Sequence, residues 1–170
     1  MTMHPQDTDR AHVVVGVDDS PQSQAAVRWA AAHAAMTGAE LDIVHVWGLE
    51  PSDMYGPTGD LRDAVLPDLR KRLEDMVTDA IGPATGPAAW TLEIIQGPPG
   101  PTLVQRASDA DLLVVGTGEH AGVRRLVSGS VSHHCLSHAH GPVVAVPALA
   151  QPAAETDARV PESVPGARPS

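Results

Sequence analysis

Apolar positions along the chain fall into two alternating patterns. Short runs of mostly β-branched residues, such as the one at 12–17, are each followed by a longer segment in which apolar residues recur at helical spacing. An unbroken apolar run is typical of a strand buried on both faces, because a half-exposed strand alternates with polar residues. The pattern predicts five strands, at 12–17, 41–47, 90–96, 111–116 and 143–146.

Four helices separate the predicted strands. The first begins at Pro21, behind the N-cap residue Ser20, and ends before Gly38. The second follows a turn-rich loop and is predicted only from Pro67 onward, because a proline inside a helix removes a hydrogen bond and kinks the turn before it. Two shorter helices precede the fourth and fifth strands, the latter at 130–138.

This alternation of strands and helices predicts an α/β fold with a parallel sheet and right-handed crossovers. It covers residues 12–147, which we expect to form one domain. The polar segment 1–11 is expected to be a flexible N-terminus. The segment 148–170 is rich in Pro and Ala and has no periodicity, so we expect a disordered tail there.

Composition narrows the class of protein. Hydrophobic residues make up 42% of the 170 residues but aromatic residues only 2%, so the core is expected to consist of Val, Leu, Ile and Ala. The formal net charge of -10 argues against a nucleic-acid or anionic-membrane partner. The single cysteine excludes a disulfide within the chain, and no apolar run approaches the roughly 18 residues of a membrane span. We therefore expect a cytoplasmic protein.

A glycine-rich loop follows the fourth predicted strand. It contains Gly116, Gly118 and Gly122, and it ends at Gly129-Ser130, where a helix begins. Glycines let the backbone approach a ligand closely, and the free N–H groups at the start of a helix favour phosphate. Ligands of parallel sheets bind beyond the carboxyl ends of the strands. The sequence therefore predicts an anion site at this end of the sheet.

Several motifs together resemble the universal stress protein family over about residues 13–147. The resemblance is carried by the stretches 15–18, 20–21, 43–46, 111–116, 129–132 and 141–147. The spacing from Gly116 to Gly129-Ser130 is similar to the ATP-binding pattern of that family, G-x-x-G-x9-G-[ST]. The resemblance implies an open, Rossmann-like sheet of five parallel strands in the order 3-2-1-4-5, with helices on both faces.

The same resemblance implies partners and a ligand. It implies a homodimer in which the last strand pairs with its mate, through Val143, Val144, Ala145 and Val146, and an unknown protein partner. It also implies ATP or a related adenine nucleotide, with Mg²⁺ beside ATP, and does not choose between ATP, AMP and a cyclic nucleotide. The implied ligand-binding residues are Val17, Asp18, Val46, Gly116, Gly118, Gly129, Ser130, Val131 and Ser132. Among these, Asp18 is expected at the nucleoside, Val46 at the adenine, and the glycines and serines at the phosphates.

Glu119 departs from the pattern, which has glycine at this position. Two like charges at about 4 Å repel by roughly 1 kcal/mol in water, so this carboxylate disfavours phosphate unless it points outward or helps to hold a divalent metal. Two functions therefore stay open: a stress-response regulator that binds an adenine nucleotide, and a nucleotide-free dimeric interaction module of the same family. A small hydrolase or electron-transfer protein is a more distant alternative, because a fold does not fix a function.

The remaining candidate residues predict neither a catalytic site nor a metal site. His134 and His138 are spaced to share one helical face, as zinc ligands do, but no third ligand is evident. Cys135 is expected in the core, and Arg124-Arg125 in solvent. There is no Walker lysine, nucleophile elbow or zinc CxxC. We therefore expect no enzyme, or at most slow ATP hydrolysis.

Overall fold

A computed structural model describes residues 10–47, 58–82, 89–117 and 130–148. Its elements are β1 (His12–Val17), α1 (Pro21–Thr37), β2 (Glu40–Trp47), α2 (Thr58–Ile81), β3 (Trp90–Gln96), α3 (Pro99–Arg106), β4 (Leu112–Thr117), α4 (Ser130–His138) and β5 (Val143–Pro147). The flexible N-terminus and the disordered tail predicted from the sequence fall almost entirely on residues outside the described ranges.

The five strands form one parallel sheet in the order β3-β2-β1-β4-β5, as predicted. β1 lies at the centre, and the chain leaves it first towards β2 and later towards β4. The register pairs Val17 with His45 and Gly116 with Val146. The carboxyl ends of the strands therefore meet at one end of the sheet, where the sequence predicts a ligand.

Helices cover both faces of the sheet, and two apolar clusters fill the space beneath them. On one face α1 and α2 cover the odd-numbered residues of β1, including Val13 and Val15. On the other face α3 and α4 cover Val14 and Val44, and Cys135 of α4 is buried against them. The largest fully buried side chains are aliphatic apart from this cysteine, which confirms the core expected from the composition.

Helix α1 has the predicted bounds because both of its ends are capped. The Ser20 side chain accepts the N–H of Ser23 at 3.2 Å, which satisfies one free donor of the first turn. Gly38 ends the helix with a φ of 74°, a conformation that favours glycine. The face towards the sheet carries alanines, so the helix axis lies close to the strands.

The start of α2 differs from the prediction. The helix runs without interruption from Thr58 to Ile81, and Pro67 lies inside it. The proline is exposed, and its missing N–H removes a single helical hydrogen bond. Leu69 and Leu73 bury the opposite side against the sheet. Packing of that apolar side outweighs the lost bond, and the expectation of a start at Pro67 was wrong.

The fourth strand begins one residue later than predicted. The Asp111 carboxylate accepts the backbone N–H of His12 at 2.7 Å, so this side chain joins β1 to the start of β4 while the residue itself stays outside the strand. None of the helices formed by the described residues is long and apolar enough to cross a membrane.

Candidate functional site

An open pocket lies beyond the carboxyl ends of β1, β2 and β4. It encloses about 510 Å³ of empty space, the part open to solvent included. Its walls come from six secondary-structure elements and from the turn after β1. The lining residues are Gly16, Val17, Asp18, Ser23, Val44, Val46, Pro99, Leu103, Val115, Gly116 and Val131.

The floor of the pocket is apolar. Val44 and Val46 come from β2, Val115 from β4, Leu103 from α3 and Val131 from α4. β2 and β4 flank β1, so their side chains on this face surround Gly16. A floor of branched aliphatic groups suits a flat apolar ring, which gains free energy by leaving water.

Two glycines let the surrounding helices approach the strands. A Cβ at Gly16 would lie 2.6 Å from Leu103 Cδ1, so the leucine side chain would have to shift from its place in the floor. A Cβ at Gly116 would lie 2.8 Å from the carbonyl carbon and oxygen of Gln22, in the first turn of α1. Gly116 therefore serves the packing of α1 on β4 as well as lining the pocket.

Asp18 supplies the carboxylate at the edge of the pocket, and a compact set of hydrogen bonds holds it. The N–H of Ser20 donates to Asp18 Oδ1 at 2.9 Å, and the Ser23 hydroxyl donates to the same oxygen at 2.6 Å. The Asp18 N–H in turn donates to Ser23 Oγ at 2.9 Å. These bonds link the end of β1 to the start of α1 in a fixed arrangement.

The hydrogen bonds also set the charge of Asp18. Partial burial raises the pKa of its carboxyl group, but the bonds from Ser20 and Ser23 and the neighbouring His45 lower it by more, so the net pKa is below 3.8. His45 Nδ1 donates to the Val17 carbonyl at 2.9 Å. A carbonyl only accepts, so this bond assigns a proton to Nδ1. Asp18 is therefore an ionised acceptor at neutral pH.

The sequence model of the universal stress protein family matches residues 10–147. The chain belongs to this family. A universal stress protein of Mycobacterium tuberculosis strain H37Rv is 38% identical over 141 residues, which cover 79% of this chain and 46% of the relative. One from Mycolicibacterium smegmatis is 34% identical over 141 residues, which cover 79% of this chain and 47% of the relative. The chain thus spans about half the length of the curated relatives it matches.

Solved structures of the family share the fold. A universal stress protein crystallised in complex with cAMP is 26% identical and superposes with a TM-score of 0.58, over 82% of this chain and 98% of that chain. The family assignment and the Rossmann-like sheet order that the sequence predicts are therefore both confirmed.

Five of the nine predicted ligand-binding residues line the pocket. They are Val17, Asp18, Val46, Gly116 and Val131. Ser130 and Ser132 lie on α4 beside Val131 and are not among the lining residues, while Gly118 and Gly129 lie outside the described residues. Glu119 and the arginines at 124–125 are outside them too. The roles assigned to all of these residues remain predictions.

Sequence reasoning missed several pocket residues. Ser23 carries a local signal, because it follows Asp18 by five positions and sits on the first turn of the helix that Ser20 caps. Leu103 carries no such signal: it enters the floor from α3, which is distant along the chain from β1.

Two of the three histidines of α4 form a stacked pair. The rings of His134 and His138 lie 4.2 Å apart with an interplanar angle of 13°, and His138 Nδ1 donates to the His134 carbonyl at 3.0 Å. No group of three or more His, Cys, Asp or Glu within the described ranges could hold a metal ion. Cys135 on the same helix is fully buried, as predicted, and burial raises the pKa of its thiol.

Proposed function

We propose that the chain binds an adenine nucleotide as a regulatory ligand in the pocket beyond β1, β2 and β4. The observation that carries this proposal is the convergence of Asp18, Val46 and Gly116 from three strand ends around one apolar floor. It is supported by family membership and by the 26% identical relative whose structure was solved with cAMP. The ligand acts as an effector, and no catalytic step is assigned to this site.

The pocket suggests how each part of the nucleotide is held. The adenine ring packs on the floor and meets the backbone of Val46, and Asp18 accepts hydrogen bonds from the nucleoside. The phosphate end points towards Gly116 and the start of α4, at Ser130, Val131 and Ser132, because the first N–H groups of a helix attract anions. Gly118 and Gly129 join this end in the proposal, and Mg²⁺ accompanies ATP only.

The proposal includes a homodimer through β5. In the described sheet β5 is an edge strand that pairs with β4 alone. Its four apolar residues, Val143 to Val146, are only partly buried. An apolar edge with unpaired backbone groups favours pairing with another strand. A second copy of β5 would cover the apolar side chains and also hydrogen-bond the unpaired backbone groups. Sedimentation of wild type and Val144→Lys tests this: a dimer that persists in the variant contradicts pairing through β5.

Thermal unfolding with and without cAMP, AMP, ATP and Mg·ATP tests the proposed ligand. A ligand that binds only the folded state stabilises it by about 2.7 kcal/mol at a hundredfold excess over Kd, which raises Tm by several degrees. We expect this shift in wild type and its loss in Asp18→Ala.

Asp19→Ala is the matched control for Asp18→Ala. Asp19 is the next residue, does not line the pocket, and meets Arg72 at 3.8 Å with both side chains exposed. It should therefore keep the shift. If no nucleotide raises the Tm of wild type, the proposal fails, and the alternative of a nucleotide-free dimeric interaction module gains support.

A further inference from the structure

The buried hydroxyl group of Ser23 is hydrogen-bonded to the Asp18 carboxylate at the edge of the pocket. Ser23 lies on the first turn of α1, is only 4% exposed, and lines the pocket together with Asp18. Its Oγ accepts the Asp18 N–H at 2.9 Å and donates to Asp18 Oδ1 at 2.6 Å. One hydroxyl group therefore holds both the backbone and the side chain of Asp18.

The bonds to the Asp18 side chain converge on one of its two oxygens. Ser20 N–H and Ser23 Oγ both donate to Oδ1, and no hydrogen bond between described residues reaches Oδ2. Two donors on one oxygen fix the rotation of the carboxylate plane. Oδ2 keeps its lone pairs for a donor that approaches from the pocket.

We propose that Ser23 is a positioning residue of the nucleotide site, which orients Asp18 so that Oδ2 accepts a hydrogen bond from a hydroxyl or amino group of the ligand. This inference rests on the proposed function. An ionised carboxylate accepts hydrogen bonds from the hydroxyl and amino groups of a nucleoside and repels phosphate. Ser23 thereby helps to decide which end of a nucleotide enters beside Asp18: the nucleoside end, with the phosphates turned away.

The charged groups around Asp18 come from three elements. Asp19 follows it in the same turn and is paired with Arg72 of α2 on the surface, while His45 of β2 lies beside it and favours its ionised form. The Ser23→Ala change leaves Asp19, Arg72 and His45 in place and removes only the hydroxyl group. Loss of that donor raises the pKa of Asp18, so protonation begins at a higher pH in the variant.

Three variants separate positioning from packing. Ser23→Ala removes the hydroxyl and Ser23→Thr keeps it. Val27→Ala weakens the same helix one turn further on, at a fully buried site that does not line the pocket. The first readout is the titration of the Asp18 carboxyl carbon, followed by NMR in the protein without ligand. The second is the Kd for cAMP, measured by calorimetry at pH 7.

We expect Ser23→Ala to raise the titration midpoint of Asp18 and to weaken cAMP binding by about tenfold, the effect of losing one hydrogen bond to a charged group. Ser23→Thr should restore both readouts, and Val27→Ala should leave both unchanged. An unaltered midpoint in Ser23→Ala overturns the inference, and so does a raised midpoint with unaltered cAMP affinity. If the midpoint rises but wild type binds no nucleotide, the proposed function is wrong, while Ser23 still positions Asp18.

Discussion

Replacing Gly116 by alanine should destabilise the protein through the backbone of α1. The new Cβ would lie 2.8 Å from the carbonyl carbon and oxygen of Gln22 and 3.0 Å from its Cβ. Ordinary van der Waals contact begins near 3.4 Å, so the first turn of α1 or the end of β4 must move by about 0.6 Å. Gln22 is held in a helix and Gly116 in a strand paired on both sides, so their backbone atoms cannot move independently of their neighbours.

The cost follows from two opposing effects. Overpacking a tightly packed site typically costs about 1–3 kcal/mol, whereas exchanging glycine for alanine lowers the entropy of the unfolded chain and returns about 0.4–1 kcal/mol. We therefore expect Gly116→Ala to lose roughly 1–2 kcal/mol of unfolding free energy. The same shift displaces Ser20 and Ser23, which flank Gln22 and hold Asp18, so nucleotide affinity should fall as well.

Urea unfolding of Gly116→Ala beside Gly141→Ala measures this cost. A Cβ at Gly141 would meet only the Ala110 carbonyl oxygen, at 3.7 Å, so this control should match wild type or exceed it by up to about 1 kcal/mol. Both variants lower the entropy of the unfolded chain in the same way, but only Gly116→Ala brings the new Cβ against the backbone of Gln22. Equal unfolding free energies for the two would refute the argument from the close approach of Gln22.

Three further predictions concern charge, thiol reactivity and the core. The pKa of Asp18 is lower in the folded protein than the 3.8 of the unfolded chain, so its ionised form stabilises the fold above pH 3.8, and this contribution is lost as the pH falls through the folded pKa. The free energy of unfolding of wild type minus that of Asp18→Asn should therefore be constant above about pH 5 and shrink below pH 3.8. A difference that grows towards acid pH contradicts this prediction. Cys135 is buried with a raised thiol pKa and should react with a thiol reagent only as fast as the protein opens, so a rate independent of denaturant would count against this. Leu73→Ala in α2 should cost about 2–5 kcal/mol in urea unfolding, because Leu73 is fully buried, whereas the exposed Val65→Ala should cost far less.

Strand positions could be predicted closely because their signals are local. β1 and β3 begin and end where the sequence predicts, since Asp18 follows the apolar run of β1 and Gly97 follows the more polar run of β3. The start of α2 could not be predicted in this way. The proline rule describes an isolated helix, and the burial of Leu69 and Leu73 against the sheet, which keeps Pro67 helical, depends on contacts between distant segments.

The same difference between local signals and contacts of distant segments decides which pocket residues could be predicted. Asp18 follows a strand directly and could be found by reading the end of β1, whereas Leu103 reaches the floor only because α3 packs across Gly16. Ser23 is intermediate, because its place follows from the local geometry of a capped helix, although it lies five residues from Asp18. A capped helix places its third residue back over the cap, and this geometry brings the hydroxyl within 2.6 Å of Asp18. An aspartate at a strand end, followed by Ser-x-x-Ser across a helix start, is therefore a pattern that predicts a buried hydroxyl hydrogen-bonded to the aspartate carboxylate, because the N-cap fixes the turn that joins them.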